Sequence, residues 1–302
     1  MQERTFVKGL IFANPALYIE QFSSLGEPFI AKARSHPKKE FIIFFLGHYG
    51  QSVFAEFGQL RKRYPIWVRR GDITMDVYSE EGFILVSDAQ DPVELLAESC
   101  NCDFACFIMD SLESGCVALA EIISRRLQQC TDPARIGFAK NATDLEKALF
   151  HLTVEPVFAG QDLCAHLLIT LYNNYLGERG FQDLFTSKSF YGDMLKQRHW
   201  LAQGGVAIHR GKLCELSIQV LVTEANQSIQ ELILVTKGLY LIFLETPPSH
   251  ENVIMSIACR IGRTLHEWTK GRKGGNGNIT VCNCAHPQDE IKLTLFYLYE
   301  KG

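Results

Sequence analysis

Two short loops, each placed between an apolar run and an amphipathic stretch, hold the residue types that could bind phosphate. The first lies in FIIFFLGHYGQSV, Phe41 to Val53. Gly47 and Gly50 would let the backbone turn sharply and approach a ligand closely, and amides around Gln51 and Ser52, opening the next helix, would face an anion. The second lies in CFIMDSLESGCVALAEIISRRL, residues 106 to 127, with Ser111, Ser114 and Gly115 before a helix whose apolar positions include Val117, Leu119, Ala120, Ile122, Ile123 and Leu127. That spacing fits one buried helical face. In a parallel sheet both loops would reach the same edge, where open α/β sheets bind ligands. Glycines in such loops also serve the turn alone, so the spacing leaves both readings open.

Other chemistry is less well supported. Cys100-x-Cys102-x3-Cys106 and Cys282-x-Cys284-x-His286 carry soft ligands, but neither has the CxxC spacing of common zinc sites, and buried strand thiols are the expectation. No metal site is expected. Gly271 to Asn278, GRKGGNGN, is basic and glycine-rich but precedes a strand, which suits a flexible connection rather than a phosphate loop. His199, His209 and His266 lack a carboxylate or serine at a spacing that would suggest catalysis.

The elements that would position the two loops follow from periodicity. Residues 1 to 40 read as a peripheral extension with a short apolar segment at Val7 to Phe12 and a helix across Ala16 to Arg34. An α/β domain follows over 41 to 160: a helix from Ser52 to Arg63, short strands near 66, 74 and 83, a helix opened by Pro92, a strand at Phe104 to Met109, a strand at Arg135 to Ala139 and a helix at Thr143 to Leu152. A long apolar helix, Asp162 to Leu176, and its linker occupy 161 to 204. A βαβαββ unit takes 205 to 302, with strands at Gly205 to His209, Gly238 to Leu244, Ile279 to Cys284 and Ile291 to Tyr299.

Bulk properties are those of a globular chain. With 302 residues there is room for two cores, and a net charge of −4 provides no field for nucleic acid or an anionic membrane. The ten cysteines are scattered through apolar segments, which fits a reducing cytoplasm. The N-terminal apolar run is broken by Lys8, so a cleavable signal peptide is not expected, and no stretch has the length of a membrane span.

The order of glycine-loop domain, central helix and smaller α/β domain resembles the tubulin/FtsZ superfamily of filament-forming GTPases, over most of residues 41 to 299. Gly47 to Val53, GHYGQSV, is similar to the family's first phosphate loop, and Ser111 to Ile122, SLESGCVALAEI, to its diagnostic GGTGTG loop and the helix after it. Phe158 to Asp162, FAGQD, resembles the FxxAD entrance to the central helix, and Gly238 to Thr246, GLYLIFLET, the family strand GVLLNITGG. The resemblance implies an α/β fold with a Rossmann-like N-terminal domain, GTP or GDP as cofactor, and nucleotide contacts from Gly47, Gly50, Gln51, Ser52, Ser114, Gly115 and Asp162.

The departures imply a degenerate member. Of the diagnostic glycines only Gly115 remains, and Glu113 sets a negative charge where phosphate oxygens would lie, a repulsion that opposes binding. In the stretch that corresponds to the family's catalytic loop, Ser187 to Asp193, Ser189 and Gly192 stand where acids belong, and Asp193 is one position out of place. Segments 60 to 100 and 140 to 160 are shorter than their counterparts. The expectation is therefore a pseudo-GTPase that associates with itself or with an FtsZ-type protein. The alternative is a GTP-binding switch or slow GTPase that uses the retained loops.

Overall fold

In the computed structural model, residues 6–34, 40–63, 67–70, 73–76, 82–102, 104–143, 149–156, 164–165, 168, 198–211, 214–227, 238–245, 259–260, 263, 275–282 and 290–300 are described. Asp162, Asp193, Cys284, His286, His266, residues 271–274 and most of the expected central helix lie outside them. Chain contacts divide the protein into two units, one of residues 1–56, 79–155 and 186–199, the other of 57–78, 156–185 and 200–302.

The first unit is built on six parallel strands. These are β1 (Phe6–Phe12), β2 (Glu40–Leu46), β5 (Phe83–Leu85), β6 (Phe104–Asp110), β7 (Ala134–Lys140) and β8 (Leu152–Pro156). Their order across the sheet is β5-β1-β2-β6-β7-β8, with every pairing parallel. Strands covered on both faces read as continuous apolar runs. In β2, Phe41 through Leu46 are all fully buried.

Helices cover both faces. Helices α1 (Ile19–Ser23), α2 (Glu27–Arg34), α4 (Pro92–Ser99) and α5 (Cys116–Cys130) share a core with Leu10, Phe12, Ile42, Phe44, Leu46, Ala105, Phe107 and Met109. Phe44 stacks on Phe107 at 4.8 Å between ring centroids. Helix α3 (Gly47–Arg63) takes the other face, where Phe54 meets Phe45 at 5.3 Å and Phe83 at 5.5 Å. Asp91 caps α4 by accepting the Val93 and Glu94 amides at 2.9 and 3.0 Å.

The second unit carries the strands β9 (Arg198–Arg210), β10 (Gly238–Glu245), β11 (Gly275–Cys282) and β12 (Glu290–Glu300), in the order β11-β10-β12-β9. β10 runs parallel to β11, and β12 antiparallel to both β10 and β9. Ile291, Leu293, Leu295 and Tyr297 are buried on one face of β12, and Lys292 and Thr294 on the other. Helix α6 (Glu215–Asn226) buries Ile218, Leu221, Val222 and Ala225. A short antiparallel pair joins β3 (Trp67–Arg70) to β4 (Ile73–Asp76).

Four expectations are corrected. The N-terminal segment is not peripheral, because β1 lies inside the sheet between β2 and β5. The helix expected across Ala16 to Arg34 is a 3-10 turn at Pro15–Tyr18 followed by α1 and α2, broken at Gly26. Leu152, expected to end a helix begun at Thr143, instead opens β8 beside β7. Gly275 to Asn278, expected in a flexible connection, are paired along β10 as the start of β11.

Candidate functional site

In the first unit the chain leaves β2 toward β5 on one side and leaves β6 toward β7 on the other. The carboxyl ends of β2 and β6 are therefore a switch point, where connections diverge and leave a crevice. Both loops identified from the sequence end there, one on each side. The helix after β2 starts at Gly47 itself, at φ 71°, and α5 starts after Gly115, its N-cap, at φ 80°. Both angles belong to the left-handed region that glycine adopts without strain. Each turn thus aims a helix N-terminus at the crevice, where unpaired amides and the helix dipole favour an anion.

The anion present is the protein's own. The His48 amide donates to Glu113 Oε1 at 2.7 Å, and the Tyr49 amide reaches Oε2 at 3.5 Å. A side chain at Gly47 would run into this carboxylate. The loop that carries Glu113 is itself fixed. Asp110 Oδ1 accepts the Leu112 amide at 3.0 Å and the Asn141 side-chain amide at 2.9 Å, while the Glu113 and Ser111 amides donate to the Asp110 and Lys140 carbonyls at 3.1 and 2.9 Å. Asn141, at φ 54°, is one of the residues that tolerate that backbone.

The second helix N-terminus is covered by backbone. A Cβ at Gly115 would lie 2.8 Å from the Ala16 nitrogen, so the 3-10 turn after β1 rests on the α5 cap. Gln51 ties the same connection to α3, its side-chain amide reaching the Ala13 carbonyl at 3.5 Å and the Gly47 carbonyl at 3.3 Å. Lys140 places its ammonium 5.7 Å from the centre of the Tyr49 ring. Beneath Gly115, burial first, with the charges of Glu113 and Asp110, pushes the Cys116 thiol up to about 12. Two carboxylates, Glu113 and Asp110, therefore stand at the crevice with the Lys140 ammonium near Tyr49.

The sequence-derived residues fall into three groups. Gly47 and Gly115 form the two turns as expected, and Gly50 packs in α3, where a Cβ would lie 2.7 Å from the Phe45 carbonyl carbon. Gln51 and Ser52 lie in the first turns of α3, and the Ser52 hydroxyl donates to the Tyr49 carbonyl at 2.8 Å; the amides that meet the carboxylate belong to His48 and Tyr49. Ser114 is exposed. Asp162 and Asp193 lie outside the described residues. Asp110, Asn141 and Ala16 escaped the sequence reading, although an aspartate closing an apolar strand before a turn is a usable signal for a side chain that captures a loop amide.

The thiol motif does not assemble a metal site. Cys100 and Cys102 belong to the core on the α5 face of the sheet, whereas Cys106 alternates with Ala105 and Phe107 and so points to the other. Among the described residues no cluster of three or more His, Cys, Asp or Glu could hold a metal ion. Among them, too, no helix is long and apolar enough to cross a membrane.

Comparison with known proteins gives a likeness of structure only. The chain is similar to FtsZ of M. jannaschii, solved as the W319Y mutant, at 9% identity and a TM-score of 0.44, covering 98% of this chain and 91% of that one. CetZ1 from Haloferax volcanii, a GDP-bound monomer, matches at 9% identity and TM-score 0.44, with 96% and 93% covered. CetZ2 from the same organism, a protofilament bound to GTPγS, matches at 9% identity and TM-score 0.40, with 97% and 93% covered. No protein family and no curated protein matches the sequence. At this distance the likeness carries no residue roles, and the site is read from its own geometry.

Proposed function

We propose that this protein is an FtsZ-like structural or interaction protein of the cytoplasm whose nucleotide edge is closed by its own Glu113, so that it does not hydrolyse GTP at a useful rate. The observation that carries the reading is the Glu113 carboxylate on the His48 amide at 2.7 Å, in the place a phosphate oxygen would take on a helix N-terminus. Asp110 adds a second negative charge, so an incoming phosphate meets repulsion as well as an occupied donor.

Contact with protein accounts better for the surface around the closed site. Leu17, 71% exposed, follows the Ala16 that lies on Gly115, and Leu112, 77% exposed, precedes Glu113. Two large apolar side chains on one rim favour association with a second copy or an FtsZ-type protein. The alternative, a GTP-binding switch, rests on the left-handed glycines at Gly47 and Gly115, which keep both helix N-termini aimed at the crevice.

The test is a titration with fluorescent GTP, with excess ATP as competitor, alongside sedimentation without nucleotide. The expected result is no saturable binding at high micromolar concentration and a sedimenting fraction that GTP does not alter. Saturable, GTP-selective binding with hydrolysis proportional to polymer would overturn the reading.

A further inference from the structure

One side of β11 has no partner among the described strands. β11 stands at the end of the order β11-β10-β12-β9 and pairs along its whole length with β10, from Gly238 opposite Gly275 to Glu245 opposite Cys282. In such a strand alternate residues turn their N–H and C=O groups to the partner, so about four of the eight residues turn theirs outward. Proteins guard an edge of this kind with charge, proline, a bulge or shortness. The sequence GNGNITVC has no charge and no proline, its register on β10 is unbroken, and at the rise of a parallel strand it extends about 26 Å. By contrast β5, the edge of the first unit's sheet, is three residues long.

We infer that the outer edge of β11 is an association surface for a second copy of this chain, whose own β11 adds antiparallel to it and extends the sheet about a two-fold axis. The strand itself points to that occupant. Identical strands bring identical charges together, and like charges directly opposite one another oppose pairing. With none in residues 275–282, a second copy meets no such repulsion. A two-fold contact also needs a surface that complements itself, and a row of alternating donors and acceptors does so when reversed. The contact lies on the second unit and uses neither Leu17 nor Leu112, so it goes beyond the association proposed above.

Two conditions limit the register. The outward backbone groups belong to alternate residues, so residues that face each other across the axis must both be odd-numbered or both even-numbered. The same parity keeps the two core faces on one side of the extended sheet. That face is marked by Ile279 and Val281, which are in register, through Ile242 and Leu244, with the buried Leu295 and Leu293 of β12. Ile279 opposite Ile279 meets both conditions and sets two β-branched residues at the axis, a favourable cross-strand pair. Asn278 then stands opposite Thr280, Gly277 opposite Val281 and Asn276 opposite Cys282.

The full chain is followed by analytical ultracentrifugation over a concentration series without nucleotide, and by hydrogen exchange with mass spectrometry at both ends of that series. The expected result is a monomer–dimer equilibrium in which exchange in residues 275–282 slows as concentration rises, while peptides covering β5 keep their rate. Asn278→Lys with Thr280→Lys sets two like-charge pairs across the axis and should weaken the dimer about tenfold. Leu17→Asp with Leu112→Asp should leave the dimer constant unchanged, which separates this edge from the rim. A monomer throughout the series would overturn the proposal, as would a dimer whose exchange in 275–282 is independent of concentration, or one lost in the Leu17 and Leu112 variant. The exchange measurement uses the unaltered chain, so it decides the matter even where circular dichroism shows the lysine variant unfolded.

Discussion

Replacing Glu113 with alanine removes an internal anion and uncovers two helix amides. A hydrogen bond to a charged group contributes about 1.5–3 kcal/mol, and a negative charge at a helix N-terminus adds about 0.3–1 kcal/mol. His48 is exposed and Glu113 half-buried, so water recovers part of this and the lower end applies. The expected loss is about 2 kcal/mol. Glu113→Gln loses less, because its side-chain carbonyl still accepts from His48. The same figure measures competition: a phosphate that must displace Glu113 binds about thirtyfold more weakly than one entering an empty cradle. Urea unfolding of the three proteins, with and without inorganic phosphate, reads both effects. The midpoint should fall in the order wild type, Glu113→Gln, Glu113→Ala, and phosphate should raise it most for the alanine variant. Wild-type stability in Glu113→Ala would refute the reasoning.

Other positions give independent expectations. Gly115→Ala places a Cβ 2.8 Å from the Ala16 backbone at a φ of 80°; strain of about 1–2 kcal/mol and crowding of about 1–3 kcal/mol should give a markedly lower thermal midpoint. Asp91→Ala removes the α4 cap and should cost about 1 kcal/mol in urea, with Asp91→Asn close to wild type. His151 Nδ1 accepts the Arg135 amide at 3.1 Å, and burial, then the Arg135 charge, holds the imidazole below its ordinary value. The unfolded chain therefore binds the proton more readily, so this contribution is complete above about pH 6.5 and is lost as pH falls through that value toward the lower folded one. Urea midpoints between pH 8 and 5 should show that decline, and His151→Gln should flatten it. Leu17→Asp with Leu112→Asp should cut the sedimenting fraction while leaving the circular dichroism spectrum unchanged; an unchanged fraction would count against the rim as a contact surface.

The parts of the fold legible in the sequence are those whose signal is local. β2 is six buried apolar residues in a row, and α5 repeats its apolar positions at helical spacing. β1 is different, since Lys8 and Gly9 interrupt its pattern. Gly9 makes sense only beside the ring of Phe83, which occupies the place of a Cβ, and that partner lies far along the chain. β8 was hidden because Leu149 and Phe150 continue the apolar spacing of the preceding segment, and Phe150 in fact lies over Gly137 of β7. Residues 275–278 have weak strand propensity and are held by their parallel partner β10.

The site shows the same division between charge and geometry. That Glu113 opposes phosphate could be read from its charge. That its carboxylate accepts the helix amides could not, because α3 begins at Gly47 and exposes the His48 and Tyr49 amides instead of those around Gln51 and Ser52. A carboxylate on these amides changes what the edge can do. A ligand that comes and goes lets a surface alternate between two states, and the alternation depends on differential affinity. A carboxylate on a loop already fixed by Asp110 and Asn141 pays little ordering entropy to bind and has no product to release. Leu17 and Leu112 on that rim are then presented in one arrangement at all times, so any association through this edge should follow protein concentration and ionic strength, and not the ratio of GTP to GDP.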